Sequence, residues 1–261
     1  MKRVSRTARQ GRDWLESVER TWLGWTFPPT RLVFAETGWA PDDDSRYCGR
    51  CGASVGPGEV IPIGCASCRN APVAADRFVR LGASSGRLRE WVRAIKYRGW
   101  AEMADALGRR LGAAVGRCLA PRGGLDPDLT VVVPMPMPWQ RRFYRGIDHA
   151  GLIAAGVAAE LNVGLLAALA KANGPPQVSL PSGHRSRGNS GMRVRHRAGR
   201  LRLDGAHVIL VDDVRTSGAS LRAAGRLIRR LGPRQVTAAV LAVTDDRSRL
   251  PPPEPSVADN G

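Results

Sequence analysis

Apolar residues along this chain follow two rhythms. Leu88, Trp91, Val92 and Ile95 recur at three- and four-residue spacing. That spacing puts them on one face of a helix that opens near Ser84 and is interrupted at Gly99. A second helical stretch resumes and runs to about Leu119, where Pro121 and Gly123-Gly124 stop it. The rhythm then changes. Leu129–Val133 is a short β-branched run that predicts a buried strand ending at Pro134. Ile147, Ala150, Ile153, Ala154, Val157 and Leu161 return to helical spacing. Val208–Val211 predicts another buried strand, about Ser217 to Leu231 a helix stopped by Gly232-Pro233, and Val236–Val243 the next strand. Buried strands separated by helices of this length predict an α/β fold, a parallel sheet covered on both faces.

The flanking text divides the chain further. Residues 1–46, with Trp14, Trp22, Trp25 and Trp39, read as a short helix followed by a loop that contains Pro28-Pro29 and Asp42-Asp43-Asp44. Four of the five cysteines lie in a module at 47–72, the α/β domain occupies 80–245, and the proline-rich, polar 246–261 reads as a disordered tail. The interval 171–202 is irregular and carries seven Arg (185, 187, 193, 195, 197, 200, 202), with His184 and His196. No internal repeat is visible.

Charge narrows the partners. The net charge is +17, and of the 40 basic residues only Lys2, Lys96 and Lys171 are lysines. Such an excess favours nucleic acid, nucleotides or phosphorylated sugars. Arg9, Arg12 and Asp13 stand where a signal peptide needs an apolar run. No stretch approaches the ~18 consecutive apolar residues of a membrane helix, so a cytoplasmic protein without membrane insertion is expected.

Cys48-x-x-Cys51 and Cys65-x-x-Cys68 are separated by 13 residues. Each pair can form a knuckle that points two thiolates at one metal, and two knuckles complete a closed tetrahedral shell suited to structural zinc. Gly49, Gly52 and Gly64 would supply the backbone freedom the knuckles need. Cys118, on an apolar helix, reads as a buried hydrophobe.

The sharpest signal runs from Val208 to Ser220: four apolar residues, Asp212-Asp213 at the strand's carboxyl end, then Arg215, Thr216, Ser217, Gly218, Ala219 and Ser220 opening a helix. A helix start offers unpaired N–H groups and a positive dipole end, a cradle for phosphate. Gly218 lets backbone approach the anion, and the hydroxyls of Thr216, Ser217 and Ser220 add donors. The two acids suit ribose hydroxyls rather than the phosphate. In an open α/β sheet the ligand crevice lies beyond the strands' carboxyl ends.

This segment resembles the binding motif for 5-phosphoribosyl 1-pyrophosphate (PRPP) of type I phosphoribosyltransferases. The resemblance implies that residues 215–220 hold the 5′-phosphate and that Asp212 and Asp213 hold the ribose hydroxyls. It also implies magnesium bound mainly through PRPP's own oxygens and water. Three further stretches are similar to the ComF family of competence-related proteins: the four-cysteine module, Lys96-Tyr97, and the run from Val133-Pro-Met-Pro-Met-Pro138 through Arg141-Arg142 to Arg145-Gly146-Ile147-Asp148-His149-Ala150. The family has Phe, Asn and Gln where this chain has Ile147, Asp148 and His149. Gln177 and Arg185-x-Arg187-x-Asn189 are similar to a further family segment. The turn after Val133 could offer amides to a pyrophosphate, with Arg141, Arg142 and Arg145 as paired donors. His149 is expected to be a partly exposed helix histidine. The ComF resemblance implies either a phosphoribosyl-transferring enzyme or an accessory protein that contacts single-stranded DNA and DNA-uptake proteins, the Arg-rich 171–202 serving the latter.

Overall fold

A computed structural model describes residues 27–56, 59, 64–66, 68–137, 147–171, 191–195 and 203–245. Arg141, Arg142, Arg145, Gln177, Arg185, Arg187, Asn189 and the 246–261 tail lie outside the described residues. The centre is a five-stranded, all-parallel sheet built from β1 (Arg77–Ala83), β2 (Thr130–Pro134), β3 (Gly164–Leu165), β6 (His207–Arg215) and β7 (Gln235–Val243). Its order is β1-β7-β6-β2-β3. A separate antiparallel pair joins β4 (Leu169–Lys171) to β5 (Met192–Val194), the base of the irregular interval.

Side-chain alternation on β6 explains the two apolar faces. Ile209 and Val211 enter one cluster with α2 (Gly86–Arg98), α3 (Ala101–Leu119) and α4 (His149–Leu161). Val208 and Leu210 enter the other, with Leu221, Ala224 and Ile228 of α5 (Ala219–Arg229). The helix after β2 crosses to β3, and the helix after β6 crosses the opposite way to β7. The sheet therefore reverses its direction of growth between β2 and β6, the kind of switch point beyond whose strand ends open α/β sheets bind their ligands.

Two expectations shift. The second predicted strand does not stop at Val211: pairing with β7 continues through Asp212↔Val240 to Arg215↔Val243. Asp212 and Asp213 therefore lie within the carboxyl-terminal part of the strand, as expected, and project to opposite faces. Near Pro28-Pro29 the chain is helical: α1 (Thr30–Thr37) begins directly after Pro29. Its Phe34 meets Trp91 edge to face with ring centroids 5.2 Å apart, and Phe27 stacks on Trp100 at 4.7 Å. Burial of these rings outweighs the breaking effect of the prolines, which precede the helix where proline is tolerated.

The outer edge of β1 is covered by the segment before it, since Phe78 N donates to Gly49 O (2.8 Å) and Asp42 N to Leu81 O (2.7 Å). Arg80, only 2% exposed, clamps this arrangement. Its guanidinium donates to Asp42 Oδ2 (2.8 Å from Nη2), Gly52 O (2.9 Å), Ser54 Oγ (2.8 Å) and Asp245 Oδ2 (3.4 Å). Among the described residues no helix is long and apolar enough to cross a membrane.

Candidate functional site

Cys48, Cys51, Cys65 and Cys68 are all buried, and their sulfurs lie within 4.8 Å of one another. Cys48–Cys68 and Cys51–Cys65 are each 3.7 Å apart and Cys65–Cys68 3.9 Å. Four sulfurs ~2.3 Å from one metal would form a tetrahedron with edges of about 3.8 Å, so the donor set fits a metal ion. The spacings are far beyond the ~2.05 Å of a disulfide. Crowding makes the thiols share protons: the hydrogen bond from Cys51 draws Cys48 down to about 4, and the same bond pushes Cys51 up. Gly52 and Gly64 take left-handed φ values of +76° and +109°. At Gly64 a Cβ would lie 2.7 Å from Cys68 Sγ. Gly49 has no such φ; a Cβ there would meet Arg77 Nη1 at 3.3 Å.

At the sheet's switch point, β6 ends in Arg215 and the chain turns through Thr216, Ser217 and Gly218 into α5. Thr216, Ser217, Ala219 and Ser220 are exposed. Gly218 is the N-cap residue with φ +71° and no side-chain cap hydrogen bond. A side chain there would be strained, and its Cβ would lie 3.1 Å from Arg222 Nη1 and 3.4 Å from Arg215 Nε. Two guanidiniums thus flank a helix start whose only side-chain acceptor among the described residues is Ser217 Oγ, 3.4 Å from Ala219 N, and where backbone donors and the dipole favour an anion. Arg222 Nη1 also donates to Ser217 O at 2.8 Å, bracing the turn. Sequence reasoning missed Arg222; its place one turn into the helix, on the side of Gly218, was the available signal.

The acid pair divides between the two faces. Asp213 Oδ2 accepts from His149 Nε2 (2.8 Å) and pairs with Lys96 Nζ (3.1 Å), while Asp213 Oδ1 accepts from Val214 N (2.6 Å). Despite burial, the His149 hydrogen bond and the Lys96 charge hold this carboxyl below the usual carboxylate range. Half-buried Asp212 accepts from Asp213 N at 2.9 Å. Burial, then the Asp213 charge, push it up to about 7, against the pull of Lys96 and Lys171. His149 is not the partly exposed residue expected. It is 5% exposed, because α4 starts with the His149 ring turned onto β6, and Asp148 caps that helix by accepting from Gly151 N (3.1 Å). The structure thus brings Asp212, Asp213 and residues 215–220 together at the carboxyl-terminal end of β6, and adds Lys96, His149, Lys171 and Arg222.

Part of the chain is similar to known proteins. Residues 146–258 match the family described as the phosphoribosyl transferase domain. The chain is 38% identical over 97 residues to an adenine phosphoribosyltransferase of Mycobacterium marinum, covering 37% of this chain and 52% of that protein. It is 35% identical over 108 residues to the corresponding enzyme of Rhodococcus jostii, covering 40% and 60%. It therefore spans only about half the length of the curated relatives it matches. Among solved structures it is similar to a hypoxanthine phosphoribosyltransferase from Trypanosoma cruzi at 15% identity and a TM-score of 0.36, covering 59% of this chain and 73% of that one. It is also similar to an allosteric regulatory enzyme of purine biosynthesis at 16% and 0.36, covering 57% and 30%. The chain thus joins a four-cysteine module to a helix-flanked parallel sheet, and its residues 146–258 match the phosphoribosyl transferase domain.

Proposed function

We propose that the protein is a ComF-type phosphoribosyltransferase that binds PRPP or a nucleoside 5′-phosphate at the β6–α5 turn and transfers the phosphoribosyl group. The observation that carries this reading is the glycine-opened start of α5, flanked by Arg215 and Arg222 beside the acid pair. In this reading residues 215–220 hold the 5′-phosphate, and the acid pair meets the ribose hydroxyls. An acceptor's lone pair forms a bond to C1 of the ribose as the C1–O bond to pyrophosphate breaks, the electron pair leaving with pyrophosphate. Arg141, Arg142 and Arg145 remain the proposed pyrophosphate donors. Magnesium, held through the ligand's oxygens and water, would neutralise pyrophosphate charge. The four thiols are proposed to hold structural zinc in a closed shell that leaves no position for substrate. The amino acids of the turn and the acid pair do their work electrostatically, by pre-placed charge rather than by proton transfer.

Thermal denaturation with and without PRPP and magnesium tests this reading. Millimolar ligand should raise the melting temperature of the natural chain, and the gain should vanish when Asp212 and Asp213 are both changed to Asn. A flat melting temperature would count against the site.

An accessory role with single-stranded DNA draws support from Arg89, Arg93 and Arg98, all exposed on α2. It requires binding that weakens steeply with salt.

A further inference from the structure

Three elements converge on one carboxylate: Lys96 from the last turn of α2, His149 from the first turn of α4, and Asp213 from β6. Asp213 is saturated, with Oδ2 held by two cationic or N–H partners and Oδ1 by its own neighbour's amide. Asp212, pointing the other way, spends only Oδ1, on Asp213 N. Its Oδ2 has no hydrogen-bond partner among the described residues, and the side chain keeps contact with solvent. The residue choice at position 96 strengthens the contrast. In a chain that uses arginine for nearly every positive charge, the ammonium facing Asp213 is one of three lysines. A compact point charge fits beside a buried carboxylate where a planar fork would demand more room and more acceptors. His149 Nδ1 is buried without a partner among the described residues. Its hydrogen bond to Asp213 is thus the ring's one polar tie there, which makes it a strut and not a relay.

We propose that Lys96 and His149 are positioning residues that lock Asp213 against the α2–α4 side of the sheet, leaving Asp212 Oδ2 as the carboxylate oxygen that meets the sugar. The proposal rests on the sugar-phosphate reading of the β6–α5 turn and replaces its two equivalent acids with one anchor and one ligand. Asp213 then acts through Asp212: its backbone N–H holds Asp212 Oδ1, so fixing Asp213 fixes the direction of the free oxygen.

The experiment is carbonyl-carbon NMR of the full chain, with side-chain carboxyls assigned by substitution, titrated with ribose 5-phosphate and separately with inorganic phosphate. Ribose 5-phosphate should move the Asp212 carboxyl resonance and leave that of Asp213 in place, while inorganic phosphate moves neither. Asp212→Asn should weaken ribose 5-phosphate binding at least about tenfold, the scale of one lost hydrogen bond to a charged group. Lys96→Met should weaken it as well, and His149→Gln, which keeps an N–H donor, should preserve most of the affinity where His149→Leu does not. Movement of the Asp213 resonance by the sugar phosphate, or equal loss with His149→Gln and His149→Leu, overturns the anchor assignment while binding itself survives. A natural chain that binds neither probe overturns the underlying reading, and the inference with it.

Discussion

Replacing Arg80 by Met tests whether the four-cysteine module and the sheet are one mechanical unit. Methionine keeps the apolar stem out to about Nε but lacks the guanidinium, so the loss is mainly that of its charge and hydrogen bonds. Arg80 is 2% exposed, and its partners differ in what they recover. Asp42, 21% exposed, can regain water, whereas Asp245, 4% exposed, keeps only Ser54 N (2.9 Å) and Ser54 Oγ (2.6 Å). Gly52 O and Ser54 Oγ each lose a charged donor. Removing one member of a buried, hydrogen-bonded pair costs about 3–5 kcal/mol. For a chain of this size that corresponds to a fall in melting temperature of roughly 6–20 °C. Differential scanning calorimetry reads the shift, and metal analysis of the same sample reports whether the module still holds its ion. Adding Asp245→Asn should cost less on top of Arg80→Met than it does alone, because the two share one interaction. A loss below about 1 kcal/mol, with additive effects, would refute the clamp.

Gly156 packs α4 against α3, where a Cβ would meet Asp105 O at 2.6 Å. Gly156→Ala should therefore destabilise the chain by about 1–3 kcal/mol in urea denaturation, and an unchanged midpoint would contradict this packing. Metal analysis should find one zinc per chain, and strong chelation should unfold the segment around the cysteines, read as loss of amide protection there. Asp212 titrates high in the folded chain, near 7 against 3.8 unfolded. Between those pH values the unfolded chain has lost a proton that the folded one keeps, so stability falls as pH rises through that window. Asp212→Asn should flatten that slope, as followed by melting temperature at pH 4 to 8.

Most of the architecture was legible because it rests on periodicity. The 3.6-residue apolar stripe of Leu88, Trp91, Val92 and Ile95 and the strand runs at 129–133 and 208–211 each need only local text to be recognised. The cysteine spacing was equally local. What escaped depends on distance in sequence. His149 reads as a helix surface residue until the sheet places Asp213 under it, 64 residues later. The extension of β6 through both acids reflects pairing with β7, which no single segment announces. The helix at Thr30–Thr37 forms because Trp91 and Trp100 give its aromatic neighbours a surface to cover.

The central claim is that a monophosphate seats on the amino end of α5. A crystal structure of the full chain with ribose 5-phosphate tests it most directly. The account predicts phosphate oxygens ~2.7–3.2 Å from the amides of residues 217–220, with a ribose hydroxyl on Asp212. Ordered ligand density elsewhere, with this turn empty at saturating ligand, would contradict it.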